Sequence, residues 1–235
     1  MDKTLKSTNN RLLTAPDLQA LIFDMDGLMV DSESWAHESY NRVLAPYGPA
    51  MTEEEYAQLV GWRAIDQPTF FQQRWGIAET ELPRILAARR PIFLEIMRER
   101  LAPMPGLLHV IALARQRGLR LAVASSSRLP YIHLILDGLG LAGIFDAVVS
   151  GAELPQSKPD PTIYIHTLEQ LGVSARAAVA LEDSEQGVKA ARAAGLRVIA
   201  IPNRYTRHQR LDDADLQLSS LAEITWERLI GSTPH

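Results

Sequence analysis

Short apolar runs alternate with amphipathic stretches along most of this chain. The runs at 20–24, 119–124, 147–150, 178–182 and 198–201 are nearly all apolar rather than alternating. Strands covered on both faces read this way, because neither side meets water. Between the runs the spacing predicts helices. Pro105-Gly106 opens one that Gly118 ends; another spans about 162–171 and stops at Gly172; a third spans about 185–194 and stops at Gly195. Proline early and glycine just past the end is the polarity helix termini favour. The repeated β-α-β order implies an α/β fold, a doubly wound, Rossmann-like parallel sheet with helices on both faces. In such sheets ligands bind beyond the carboxyl ends of the strands.

One stretch breaks the alternation. From 32 to 101 the pattern holds no convincing strand, and helical spacing falls at 35–45, 53–60, 65–75 and 81–101. In the last, Leu82, Ile85, Leu86, Ile92, Phe93, Ile96 and Met97 recur at helical spacing, with Pro91 expected to kink the helix. The segment leaves directly after the first strand, so it is expected to lie as a lid over that end of the sheet. The division expected is a loose N-terminal extension at 1–17, a core of 18–31 plus 102–235, and an inserted helical cap domain at 32–101.

Composition narrows the chemistry. Of 235 residues, 46% are hydrophobic, enough for a sizeable core. Lysine and arginine number 24 against 28 acidic residues, and the basic ones are scattered, so no nucleic-acid partner is expected. The absence of cysteine excludes disulfides, zinc–thiolate centres and thiol nucleophiles. No apolar run approaches the ~18 residues that span a bilayer. The first residues lack the apolar segment of a secretory signal, so a cytoplasmic protein without a membrane partner is expected. Oligomeric state is not legible.

Candidate chemistry collects at the strand ends. The first strand delivers Asp24 and Asp26, one residue apart, in the run Leu21-Ile22-Phe23-Asp24-Met25-Asp26-Gly27. Neighbouring carboxylates repel, so the pair calls for a nearby positive charge or a shared proton; a solvated Asp-Gly turn is the plainer reading. The second strand ends in Ser125-Ser126-Ser127-Arg128, an anion site or a helix cap. Beyond the third lies Ser157-Lys158-Pro159-Asp160-Pro161, where a lysine among prolines is rigidly aimed or merely solvated. The fourth ends in Glu182-Asp183-Ser184, a second acid pair or a helix cap. Together these place four carboxylates, hydroxyls and a lysine on one sheet edge. Oxygen ligands without histidine or cysteine suit Mg2+, and hydroxyls, amides and lysine suit the phosphate that accompanies it.

Asp24-Met25-Asp26-Gly27, Ser125, Lys158-Pro159 and Glu182-Asp183-Ser184 resemble, in order and spacing, the four motifs of the haloacid dehalogenase superfamily. The resemblance runs from about 20 to 226. The segment at 32–101 looks like that family's α-helical cap. Leu181-Glu182-Asp183-Ser184 with Gly187, and Asp31-Ser32-Glu33, are similar to its β-phosphoglucomutase-like and sugar-phosphatase branch. The resemblance implies a mechanism. Asp24 attacks phosphorus and becomes an aspartyl-phosphate. Asp26 protonates the leaving alcohol and then takes a proton from water. Mg2+ is held by Asp24, Asp183, the Asp26 carbonyl and Glu182, directly or through water. Ser125 and Lys158 grip the phosphoryl oxygens, helped by amides near Met25 and Ser126, and Lys158 keeps Asp24 ionised.

The cap is expected to set specificity. Gly61-Trp62-Arg63, between two predicted helices, is a loop that could dip into the site, and Trp62, Arg63 and His37 are the candidate substrate contacts. Trp35 is weighed beside them and read as core packing. The mutases resembled here carry a cap histidine ten residues after the second aspartate; this chain has Ala36 there and His37 one residue on. One step along a helix turns a side chain by about 100°. That favours a hydrolase passing phosphate to water: a Mg2+-dependent phosphatase of a small phosphorylated metabolite, a sugar phosphate or phosphoglycolate-like compound. The alternatives are a hexose-phosphate mutase, a dehalogenase, which needs neither Asp26 nor Mg2+, and a phosphate-binding regulatory protein.

Overall fold

Strand β1 (Ala20–Phe23) runs through the middle of the sheet, paired in parallel with β2 (Arg120–Ser125) on one side and β4 (Ala178–Glu182) on the other. Strands β3 (Ala147–Ser150), β5 (Arg197–Ala200) and β6 (Leu216–Gln217) complete an all-parallel sheet of order β3-β2-β1-β4-β5-β6. The computed structural model describes residues 17–60 and 67–231. The expected extension at 1–17, except its last residue, therefore lies outside the described residues, as do Trp62 and Arg63.

The strands look uniformly apolar because their two faces bury different things. Leu21, Phe23, Leu121, Val123, Val179, Leu181 and Ile199 point to one side. There they meet α5 (Leu107–Gln116), α6 (Leu129–Gly138) and α9 (Trp226–Ile230) through Val110, Ile111, Ile132, Ile135 and Leu229. Ala20, Ile22, Ala122, Ala124, Ala178, Ala180 and Ala200 point to the other. This small-residue face takes Ile163, Tyr164, Leu168 and Val188 of α7 (Thr162–Leu171) and α8 (Glu185–Ala193). Each buried Leu, Ile or Phe contributes about 1.5–3 kcal/mol of transfer free energy, so both layers are held chiefly by burial.

Between β1 and β2 the chain is helical: α1 (Ser32–Leu44), α2 (Glu53–Leu59), α3 (Gln67–Trp75) and α4 (Leu82–Arg100), the last containing Pro91. Asp31 caps α1, and Thr52 with Glu55 forms a capping box on α2. These helices share an apolar cluster separate from the two on the sheet, with Tyr40, Leu44, Tyr56, Phe71, Trp75 and Ile85, and it also takes in Tyr205 from beyond β5. Their root, through Trp35, Ile96 and Met97, joins the core on the large-residue face. The expected strands and helices match to within one to three residues at their ends, apart from the part of the expected 65–75 helix that lies outside the described residues. Strand β6 and helix α9 were not anticipated: they span two and five residues, too few to carry a periodic signal.

Candidate active site

The order of the sheet decides what meets. Phe23 is level with Val123 on β2 and with Leu181 on β4, so the residues that follow emerge side by side. The chain reverses its direction of travel across the sheet at β1, the switch point where α/β folds open a crevice. Asp24, Ser125, Glu182 and Asp183 all reach that edge, and Lys158 comes in from the loop before α7.

Lys158 is the hub. Its Nζ donates to Asp24 Oδ1 at 2.6 Å, to Glu182 Oε1 at 2.6 Å and to the Ala124 carbonyl at 3.1 Å. Its side chain is only 7% exposed and that of Glu182 is 0% exposed. Burial opposes the ammonium charge, but Asp24 and Glu182 outweigh it and hold Lys158 well above the usual lysine range. Tyr164 from α7 donates its hydroxyl to the same Glu182 oxygen, and the ammonium lies 5.2 Å from the Tyr164 ring.

One lysine does not neutralise the acids around it. Burial, with Glu182 and Asp26 adding to it against the pull of Lys158, pushes the Asp24 carboxyl up to about 8. Burial, then Asp24 and Glu182, also pushes Asp183 well above the carboxylate range. Lys158 acts to lower the Asp24 carboxyl, as expected, while burial acts against it and is the larger effect. Ligand oxygens of Asp24, Glu182 and Asp183 all lie within 4.8 Å of one another. Three buried hard oxygen donors this close fit a divalent cation of the Mg2+ type, which would supply the missing positive charge.

Asp26 stands slightly apart from this cluster. Its Oδ2 accepts from Ser125 Oγ at 3.2 Å and Ser127 Oγ at 2.7 Å, and its Oδ1 from the Tyr131 hydroxyl at 3.5 Å. Ser125 Oγ also accepts from the Ser127 amide at 3.0 Å, so the serine run is a compact turn before α6. Ser126 is exposed. Ser184 caps α8, its Oγ accepting from Gly187 N at 3.2 Å. Gly187 is required by the site itself: a Cβ there would collide with the Glu182 carboxylate.

The cap candidates divide. Trp35 packs against Phe93 with ring centroids 6.4 Å apart, as expected of core. His37 is spent inside the cap, Nε2 on the Met51 carbonyl at 2.9 Å and Nδ1 on Tyr205 Oη at 3.3 Å, with its ring stacked on Tyr56. Sequence reasoning passed over Tyr131, Tyr164 and Asn203, which touch the acids from elements distant in the chain; no local motif marks them. Glu33 was noted only as part of a family pattern. It receives the Tyr56 hydroxyl at 2.5 Å, and burial, with Asp26 and Asp31 adding to it, pushes its carboxyl up to about 7.

Residues 21–201 match the family described as haloacid dehalogenase-like hydrolase. Protein CbbY of Cereibacter sphaeroides is 34% identical, with 88% of this chain and 94% of that one covered. Hexitol phosphatase B of Escherichia coli K12 is also 34% identical, over 93% and 99%. The crystal structure of CbbY from Rhodobacter sphaeroides in complex with phosphate superposes with a TM-score of 0.75 at 33% identity, covering 88% and 96%. The same protein, as a variant, has also been solved with xylulose-(1,5)bisphosphate. The chain belongs to the haloacid dehalogenase-like hydrolases.

Proposed function

We propose that this protein hydrolyses a phosphate monoester of a small carbohydrate-like metabolite, using Mg2+ and an aspartyl-phosphate formed on Asp24. That it is a phosphatase of a phosphorylated metabolite rests on its family and on relatives named for that activity. The finer reading is carried by one observation: Asp24 sits on Lys158 with its carboxylate within 4.8 Å of those of Glu182 and Asp183, while Asp26 is held separately by hydroxyls. The two aspartates thus occupy different environments, as a nucleophile and an acid–base group require.

Asp24 is placed to attack phosphorus, and Asp26 to protonate the departing alcohol and then accept a proton from water. Ser125 and Lys158, with amides near Met25 and Ser126, hold phosphoryl oxygens. Mg2+, bound by Asp24, Asp183, the Asp26 carbonyl and Glu182, directly or through water, would offset repulsion between carboxylate and phosphate. Asp26→Asn is expected to leave at most a small residue of phosphate release. Segment 32–101, acting as a domain of its own, supplies specificity through Trp62 and Arg63. His37, whose ring nitrogens are engaged, is a weaker candidate than either. Arg63→Ala is expected to raise KM several-fold with kcat kept; an unchanged KM ends that assignment.

Raised carboxyl pKa values make metal binding a proton-releasing event, because carboxylates ligate only when ionised. Affinity for Mg2+ is expected to rise from pH 6 toward about 8, the Asp24 value. Calorimetry in two buffers of different ionisation enthalpy measures the protons released; none released contradicts the assignment. The reaction itself is tested with a panel of phosphorylated metabolites, with and without Mg2+. Free phosphate supports the hydrolase. A sugar 1-phosphate supplied with its bisphosphate and converted to an isomer would make this a mutase, a reading that Ala36 and the engaged His37 disfavour. Phosphate binding without turnover would indicate a regulatory protein.

A further inference from the structure

One short turn after β5 touches both the acid cluster and the cap. Asn203 Nδ2 donates to Asp183 Oδ2 at 2.7 Å and to the Gly27 carbonyl at 3.2 Å. Gly27 has φ +82°, and a Cβ there would collide with both the Asp183 carboxylate and the Asn203 amide, so the contact is built into the backbone. Asn203 Oδ1 accepts from the Tyr205 amide at 2.8 Å, and the Asn203 amide donates to Thr206 Oγ1 at 3.0 Å. The amides of Thr206 and Arg207 return to the Asn203 carbonyl at 3.2 and 3.0 Å. The four hydrogen bonds within 203–207 make it a stiff unit, with Thr206 fully buried.

The other side of this unit is embedded in the cap. Tyr205 is 1% exposed and belongs to the cap's apolar cluster rather than the core's. Its ring meets Tyr56 edge-on at 5.1 Å and His37 at 5.9 Å, and its hydroxyl faces His37 Nδ1. Arg204 reaches Glu53 at 3.1 Å and Ser34 on the cap helices. Exposed ion pairs of this kind add little stability, so the buried tyrosine is the anchor. Tyr56 continues the contact to Glu33, beside the acids.

We propose that Asn203 is a positioning residue for Asp183, and that the turn 203–207 couples seating of the cap on Tyr205 to cation binding at the acid cluster. The inference rests on the Mg2+ reading given above. By tying Oδ2, Asn203 orients the Asp183 carboxylate and leaves Oδ1 for a cation. A partner of this kind behind a ligand typically alters metal affinity by about 10–100-fold. Because Tyr205 and Asn203 share one hydrogen-bonded turn, displacement of the tyrosine moves the amide. Coupling between two sites is reciprocal, so cation binding must in turn steady the cap.

Magnesium titration calorimetry on the full-length protein tests both parts. Asn203→Ala is expected to weaken Mg2+ binding about tenfold or more, with the melting temperature measured alongside. Tyr205→Leu, which touches no acid, is expected to weaken it several-fold, and Tyr205→Phe, which keeps the ring, to restore it. Hydrogen exchange on the unmutated protein is expected to slow across α1 and α2 when Mg2+ is added, and Asn203→Ala to abolish that slowing. Should the wild type bind Mg2+ and Asn203→Ala bind it equally well, Asn203 does not position Asp183. If α1 and α2 exchange at the same rate with and without Mg2+, the coupling is overturned. A wild type that fails to bind Mg2+ overturns the metal reading itself, and this inference with it.

Discussion

Asp24→Asn is expected to abolish phosphate release, by at least ~10^4-fold, in a protein that remains folded. An amide cannot attack phosphorus at a useful rate, and among the described residues the neighbouring carboxylates are otherwise held, Asp183 by Asn203. Asp26 is turned into the serine turn by Ser125 and Ser127, while Glu182 is 0% exposed and held by Lys158 and Tyr164. The fold should tolerate the change, because burial and neighbouring acids already push the Asp24 carboxyl up to about 8, so its charge is unwelcome. Removing a charge from such a cluster relieves repulsion even as the Lys158 contact weakens. The measurements are initial phosphate-release rates and thermal melts of both proteins. Release near the wild-type rate from the variant would remove Asp24 as the nucleophile.

Lys158→Met is expected to damage activity and stability together. Methionine keeps the aliphatic stem but leaves Asp24 and Glu182 without the cation that each contacts at 2.6 Å. Breaking a buried ion pair by removing one partner typically costs about 3–5 kcal/mol. The cost must depend on pH, and its sign follows from linkage. A carboxyl whose folded pKa is raised stabilises the fold fully below the unfolded value near 4, and loses that contribution as pH rises through the folded value. Without Lys158 the Asp24 carboxyl, already raised to about 8, rises further, so the deficit relative to wild type is expected to be small near pH 4 and to grow toward pH 8. Urea unfolding of both proteins at several pH values reads it directly; a deficit independent of pH would mean that the charge of Lys158 is not what holds the cluster. Phosphate release should fall by ~10^3-fold or more, since the phosphoryl grip and the orientation of Asp24 go together.

Much of the fold was legible because it follows from local rules. Runs apolar on both faces mark buried parallel strands, and Pro105, Gly118, Gly172 and Gly195 punctuate the helices between them. The motif positions were legible for a related reason: Asp24, Ser125 and Glu182 stand at the ends of strands whose length and apolarity are plain, and Lys158 is marked by the prolines around it. Trp35 was correctly read as packing from its residue type. The contributions of Tyr131, Tyr164 and Asn203 were not legible. Each is an ordinary residue on a helix or loop, and only folding brings it to an acid far away in the chain. Sequence can pair a lysine with an aspartate but cannot weigh the desolvation that opposes them, and that burial is visible only in the fold.

Sequence alone determined the architecture, the insertion of a helical segment after the first strand, and the acids, serines and lysine available at the strand ends. Those are consequences of spacing along one dimension. Tertiary structure decided which carboxylates crowd within 4.8 Å of one another, that Lys158 bridges two of them, and that Tyr205, from the turn after β5, joins the apolar cluster of the helices between β1 and β2. Register between β1, β2 and β4 and the burial of the cluster settle those matters, and both are properties of chains brought side by side, where electrostatic strength depends on the water that packing excludes.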